Sequence, residues 1–327
     1  MATCGRVRAA IERLLLAEGL NRYDRNLSEG AGREQKRSGG DSWTSNACRH
    51  KRHNRAIVLM EVVPVRRAVA MVICILCSTA AIGAVKERDI NYESGSVVLR
   101  GSLAYDDALP VRRPGILVVH EWSGLNEHAR HSARRLAEAG YVALALDMYG
   151  DAQQAHRPKE ALMLSTQIST NLPLMRARFD AARDLLRTQP NVDPTRIGAI
   201  GYCFGGGVVL EMARAGENMR GVVSVHGVLQ TAAPAKAGAI KAEVLVLTGG
   251  ADSYVTKDQV QELDRELKSA RARYKIVTYP GAKHSFTNPA AKEYDGKPFD
   301  MPGDEYNAAA DQQSWKEILA FLQRVMK

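Results

Sequence analysis

Short apolar runs alternate with amphipathic stretches from about residue 96 to the C-terminus. Residues 96–104 read as a β-strand at the domain edge. Residues 115–120 (GILVVH) form an apolar run of the buried-strand type. Residues 127–139 are amphipathic and stop at Gly140, a good C-cap residue. Residues 141–147 (YVALALD) give the next strand, and a helical region spans 159–188 with an interruption near 171–173. The run 196–201 (RIGAIG) is a strand that leads into a helix from Gly205. Residues 221–226 and 244–248 are two further strands. A helix over 257–270 precedes a strand over 275–279, and a helix over 307–325 closes the chain. Strands alternating with helices predict an α/β fold, a mainly parallel sheet with helices on both faces.

The first 84 residues follow a different pattern. Residues 1–59 are rich in Arg, Asn, Ser and Gly, and only residues 9–20 show helical spacing, so disorder is expected there. Then Arg66 and Arg67 precede residues 68–84, which carry no charge and end in small residues. That is the pattern of a signal peptide. It places the expected start at Met60, makes residues 1–59 a mis-called extension, and predicts export to the periplasm or medium. A retained membrane anchor is the alternative, at the short end of a span of about 17–25 residues. The chain would then contact a membrane only through this segment. Residues 85–327 are the expected catalytic domain.

Charge changes the picture less than its total suggests. The chain carries +9, but residues 1–59 hold twelve Lys+Arg against six Asp+Glu, and residues 60–84 add Arg66 and Arg67 against Glu61. Residues 85–327 are left at +2, so nucleic acid is not an expected partner. Apolar residues at 45% allow a sizeable core that needs no metal or disulfide. The cysteines divide in the same way: Cys4, Cys48, Cys74 and Cys77 precede the domain, and Cys203 stands alone inside it. A lone thiol there is either packing or reactive.

The strongest local motif surrounds that thiol. Gly201-Tyr202-Cys203-Phe204-Gly205 lies between a strand and a helix. This is the nucleophile-elbow pattern G-x-S-x-G with cysteine in place of serine. The elbow holds its central residue in a strained conformation, so its close neighbours must lack bulk. The helix N-terminus behind it favours a thiolate. A buried structural cysteine in a glycine-rich turn is the plainer alternative. Downstream, Asp252 follows the strand at 244–248 and His284 follows the strand at 275–279. The order nucleophile, acid, histidine is that of α/β-hydrolases. Acid and base both fall at strand C-termini, where sites gather in open α/β sheets.

These segments resemble the dienelactone hydrolase family. The resemblance rests on VVHEWSGLNEHARHSARRLAEAGYVALALDMYGD (118–151), IGYCFGGG (200–207), LTGGAD (247–252) and GAKHSF (281–286), and runs from about residue 96 to the C-terminus. It implies the α/β-hydrolase fold and hydrolysis of a small-molecule ester or lactone through a thioester. By resemblance Cys203 is the nucleophile, His284 the base and Asp252 its orienting acid. The same resemblance makes Glu121 a carboxylate that contacts the resting thiol, and makes the backbone N–H groups of Trp122 and Phe204 the oxyanion hole. No cofactor or metal is implied. The family's namesake binds its substrate's carboxylate with arginines, one shortly after the active histidine. Here that stretch reads Ser285-Phe286-Thr287-Asn288-Pro289. A small ester, lactone or acylated carbohydrate is therefore expected. A non-catalytic binding protein using the same pocket is the rival reading, and a thiol redox enzyme would lack a resolving cysteine.

The remaining candidates are weaker. His120, His128, His131 and His226 form no metal-ligand spacing, and His128 and His131 are expected on a solvated helix face. Asp147 is expected to be structural. Arg176, Arg178 and Arg183 either approach the site or are surface charge. The loop 288–305 directly follows His284 and is expected to wall the substrate entrance.

Overall fold

The computed structural model describes residues 85–108, 111–294, 297–298 and 301–327. The expectations for the extension and the signal segment lie outside the described residues. No helix among the described residues is long and apolar enough to cross a membrane.

Eight strands form one sheet in the order β1-β2-β4-β3-β5-β6-β7-β8. They are β1 (Val85–Ser94), β2 (Val97–Asp106), β3 (Arg113–Val119), β4 (Val142–Leu146), β5 (Val192–Tyr202), β6 (Gly221–Val225), β7 (Glu243–Gly249) and β8 (Tyr274–Tyr279). β1 pairs antiparallel with β2, and β2 antiparallel with β4. From β4 to β8 every pairing is parallel. The central strands are buried on both faces, which explains their continuous Val, Ile, Leu and Ala runs.

Among the described residues six helices cover the sheet: α1 (Glu127–Glu138), α2 (Pro158–Ser169), α3 (Leu172–Thr188), α4 (Phe204–Arg214), α5 (Lys257–Ser269) and α6 (Ala308–Val325). The cores on the two sides divide them. Leu136 of α1 and Phe321 and Leu322 of α6 pack on one side. Ile168, Phe179, Val209 and Leu263 of the other four helices pack on the opposite side. This is the expected architecture.

Two features depart from the expected elements. The strand β1 was not foreseen, because its sequence VKERDINYES is mostly charged or polar. Most of its side chains are exposed at the sheet edge, and its carboxylates bond outward, Glu87 to Arg130 and Arg134 and Asp89 to Arg130. The helical region 159–188 is two helices. Asn171 caps the second by accepting from the Leu174 N–H at 3.1 Å, close to the interruption that the sequence suggested.

The topology sets up the site. β3 is the first central strand, and the chain then winds to β4 on one side and β5 on the other. The loops leaving β3 and β5 therefore diverge at the C-terminal edge, opening a crevice between them.

Candidate active site

Cys203 stands at the end of β5 as the N-cap of α4, with φ 51° and ψ −115°. A non-glycine residue with positive φ is strained, and here the surroundings enforce it. The Cys203 N–H donates to the Val225 carbonyl at 3.1 Å, and its carbonyl accepts from Gly207 and Val228. The glycines leave no room for any other arrangement. A Cβ on Gly201 would stand 2.0 Å from the Gly205 carbonyl oxygen, and one on Gly205 would stand 2.4 Å from the Val119 carbonyl oxygen. α4 thus starts in direct backbone contact with β3. Its first N–H groups lack helical partners and point toward the sulfur's end of the crevice.

Asp252 and His284 arrive on the loops after β7 and β8. His284 Nδ1 donates to Asp252 Oδ2 at 2.8 Å, and both residues are buried. The other oxygen, Asp252 Oδ1, accepts from the Tyr254 and Val255 N–H groups at 2.8 and 3.0 Å. This leaves the opposite imidazole nitrogen for Cys203, whose side chain is hydrogen-bonded to His284. Burial disfavours the charged imidazole, but the adjacent Asp252 carboxylate and Cys203 outweigh it and raise His284 well above its ordinary value. Burial also pushes the Cys203 thiol up. The nearby Glu121 and Asp304 add to this, against the pull of His284. The three predicted residues, Cys203, Asp252 and His284, are thus brought together.

Glu121 and Trp122 follow β3. Glu121 Oε2 accepts from Asn288 Nδ2 at 2.7 Å, and Oε1 from Ser285 Oγ at 3.2 Å. His128 Nδ1 lies 3.6 Å from Oε2. Glu121 is therefore held by the loop that carries His284, and acts on the sulfur through its charge. Trp122 and Phe204 line a cavity of about 330 Å³ together with Cys203, His284, Leu162, Met175, Val228 and Asp304. Among the described residues this lining contains no Lys or Arg.

Several weaker candidates resolve. His128 is buried, edge-on to Tyr202 with ring centroids 4.7 Å apart, which corrects the expectation of a solvated face; His131 is exposed. The His128 ring alone is covered by the loop after β8, through Thr287. His120 and His226 are fully buried beneath the site and do not line the cavity. His226 Nε2 bonds Thr287 Oγ1 at 2.9 Å, and its ring meets that of His284 at 5.3 Å. Asp147 is structural, accepting from Tyr149, Gly150 and Ala152 N–H groups. Arg178 is buried against the Met148 carbonyl, while Arg176 and Arg183 pair with Glu217; none lines the cavity.

Sequence reading missed the partners in this loop. Ser285, Asn288 and Asp304 are all buried around Glu121. Asp304 is drawn in because the His284 N–H donates to the Gly303 carbonyl and the Glu305 N–H to the His284 carbonyl. Only the proximity of residues 285–305 to His284 could have hinted at this. No group of three or more His, Cys, Asp or Glu among the described residues is arranged to hold a metal.

Comparison with known proteins bears on the family and the fold. Residues 99–326 match the dienelactone hydrolase family. "Protein usf" of Aquifex pyrophilus is 26% identical over 244 residues, which cover 72% of this chain and 98% of that protein. A Synechocystis protein with the provisional name carboxymethylenebutenolidase is 26% identical over 227 residues, covering 65% and 87% of the two chains. The crystal structure of a dienelactone-hydrolase-like promiscuous phosphotriesterase from metagenomic libraries superposes with a TM-score of 0.69 at 33% identity. The superposition covers 75% of this chain and all of that one.

Proposed function

The chain belongs to the dienelactone hydrolase family and is a hydrolase of ester or lactone bonds, and on that premise we propose that it works through a Cys203–His284–Asp252 triad on small, uncharged substrates. The observation that carries the triad is the unbroken chain from Asp252 through His284 to a cysteine fixed at a helix N-terminus.

His284 takes the proton of the Cys203 thiol, with Asp252 holding the imidazole in the required tautomer. The thiolate attacks the carbonyl carbon, a C–S bond forms and the carbonyl electron pair moves onto oxygen. The Trp122 and Phe204 N–H groups stabilise that oxyanion. Collapse expels the alcohol, which takes its proton from the His284 imidazolium. Water, deprotonated by His284, then cleaves the thioester and the thiol is restored. Glu121 lies near the resting sulfur, and its negative charge helps to keep the thiol protonated until substrate arrives.

The cavity's apolar walls and the lack of Lys and Arg among its described lining residues support a neutral substrate. The same feature favours a second reading, hydrolysis of uncharged phosphotriesters, which is the activity in the name of one solved relative. Turnover of p-nitrophenyl acetate and of an aryl phosphotriester by the wild type, Cys203→Ala and His284→Ala tests both. Loss of about a thousandfold in each variant is expected, and equal rates in all three contradict the triad.

We also propose that residues 60–84 direct export, supported by Arg66 and Arg67 ahead of the uncharged stretch. Mass spectrometry of the mature protein should find its N-terminus near residue 85. An intact leader would contradict this.

A further inference from the structure

We infer that Asp304 selects the charge of the substrate, admitting neutral esters and lactones and repelling molecules that bring a second carboxylate into the cavity. This rests on the hydrolase reading above and goes beyond it by assigning the selection to one residue.

Position is the first argument. Asp304 lines the main cavity beside Cys203, His284 and Met301, and also lines the small recess behind Glu121. Its backbone is laced to His284 on both sides, and its own N–H donates to the Met301 carbonyl at 2.9 Å. The backbone that carries the carboxyl is therefore fixed to the histidine loop.

The second argument is its bonding. Asp304 is only 6% exposed. Oδ2 lies 3.5 Å from Ser285 Oγ, a hydroxyl it shares with Glu121. Oδ1 is buried with no hydrogen-bond partner among the described residues. A buried carboxyl oxygen without a partner is costly to ionise, so the charge on this group is sensitive to what shares the cavity.

The third argument is the lack of neutralisation. Among the described residues the lining has one other carboxylate, Glu211, and Arg214 closes it with a hydrogen bond of 2.9 Å. Around Asp304 stand Glu121 after β3, Cys203 after β5, Asp252 after β7 and His284 after β8. The half-buried Lys283 and the exposed Lys292 on the neighbouring turns lie beside Glu305 instead. Among the described residues the basic groups beside these three carboxyls are the His284 and His128 imidazoles, and a substrate carboxylate would be a fourth acid. Burial, then Glu121 and Asp252, push Asp304 up to about 7 against the pull of His284. Near neutrality it exists in both forms. Protonated, the carboxyl is neutral and leaves a bound substrate's charge unopposed; ionised, it repels an anion across the cavity wall.

The test compares p-nitrophenyl hexanoate with the mono-p-nitrophenyl ester of adipic acid, in which a carboxylate replaces the terminal methyl group. The kcat/KM ratio, neutral over anionic, is measured on the full chain from pH 5.5 to 8.5, where the substrate carboxylate stays ionised. Titration of the catalytic pair during chemistry is common to both substrates and cancels in the ratio. The wild-type ratio should rise by about tenfold across this range, with a midpoint near 7. In Asp304→Asn it should stay flat within about twofold. A flat wild-type ratio overturns the inference. So does a rise that survives in Asp304→Asn, because the imidazole charge alone would then explain it. Either result leaves the hydrolase reading intact. Hydrolysis of neither ester would overturn both.

Discussion

The elbow at residues 201–207 and the loop at 281–305 bring reacting groups to the same crevice by opposite means. The elbow works by exclusion. Gly201 and Gly205 let backbone meet backbone, so Cys203 has nowhere else to stand. The loop works by attachment. Its residues are held by bonds to distant groups: His284 to Asp252, Ser285 and Asn288 to Glu121, and Thr287 to His226. A position fixed by missing atoms is sensitive to any addition. A position fixed by polar bonds is sensitive to the loss of a partner, and also to pH.

The largest effect that would sharpen this contrast lies on the attached side. Asp252→Asn removes the charge that orients and raises His284. It should lower kcat by about a thousandfold, equivalent to about 4 kcal/mol. The rising limb of kcat against pH should also move downward, because the carboxylate that holds His284 above its ordinary value is gone. An unmoved limb in stopped-flow pH profiles would break the assignment. Next comes the excluded side. Gly205→Ala forces a Cβ to within 2.4 and 2.6 Å of the Val119 and His120 carbonyl oxygens. A loss of about 3 kcal/mol is expected in urea unfolding, with slower thiol labelling of Cys203.

Asn288→Ala should cost about 2 kcal/mol, because it deprives the buried Glu121 of its shorter hydrogen bond. It should also slow turnover, read in the same esterase assay. The smallest effect is on stability at Asp304. Its folded pKa of about 7 lies above the ordinary 3.8. The native state therefore binds the proton more tightly, and stability falls as pH rises between these values. Asp304→Asn should be nearly neutral at pH 4 and gain about 1 kcal/mol at pH 8. A gain confined to acid would contradict the burial argument.

What could be read from the sequence follows the same division. The buried strands, the elbow around Cys203 and the order of Asp252 and His284 were legible because each is written in consecutive residues. The partners of Glu121 were not. Its bonds reach 164 and 167 residues along the chain, to Ser285 and Asn288, and no local pattern encodes them. His128 looked solvated because Arg130, Arg134 and Arg135 flank it, yet Thr287 and Glu121 cover it. β1 was hidden by its charge, since an edge strand with most of its side chains exposed carries little apolar pattern. Asp304 lay in a loop with no periodicity at all.

The central claim is that the Cys203 sulfur carries the acyl group during turnover. Acid quench of the protein during p-nitrophenyl acetate hydrolysis, followed by peptide mass spectrometry, examines that bond itself. Acetyl should appear on the peptide containing Cys203 and be missing in Cys203→Ala. Steady turnover with the label on another residue, or undiminished turnover by Cys203→Ala, would contradict the account.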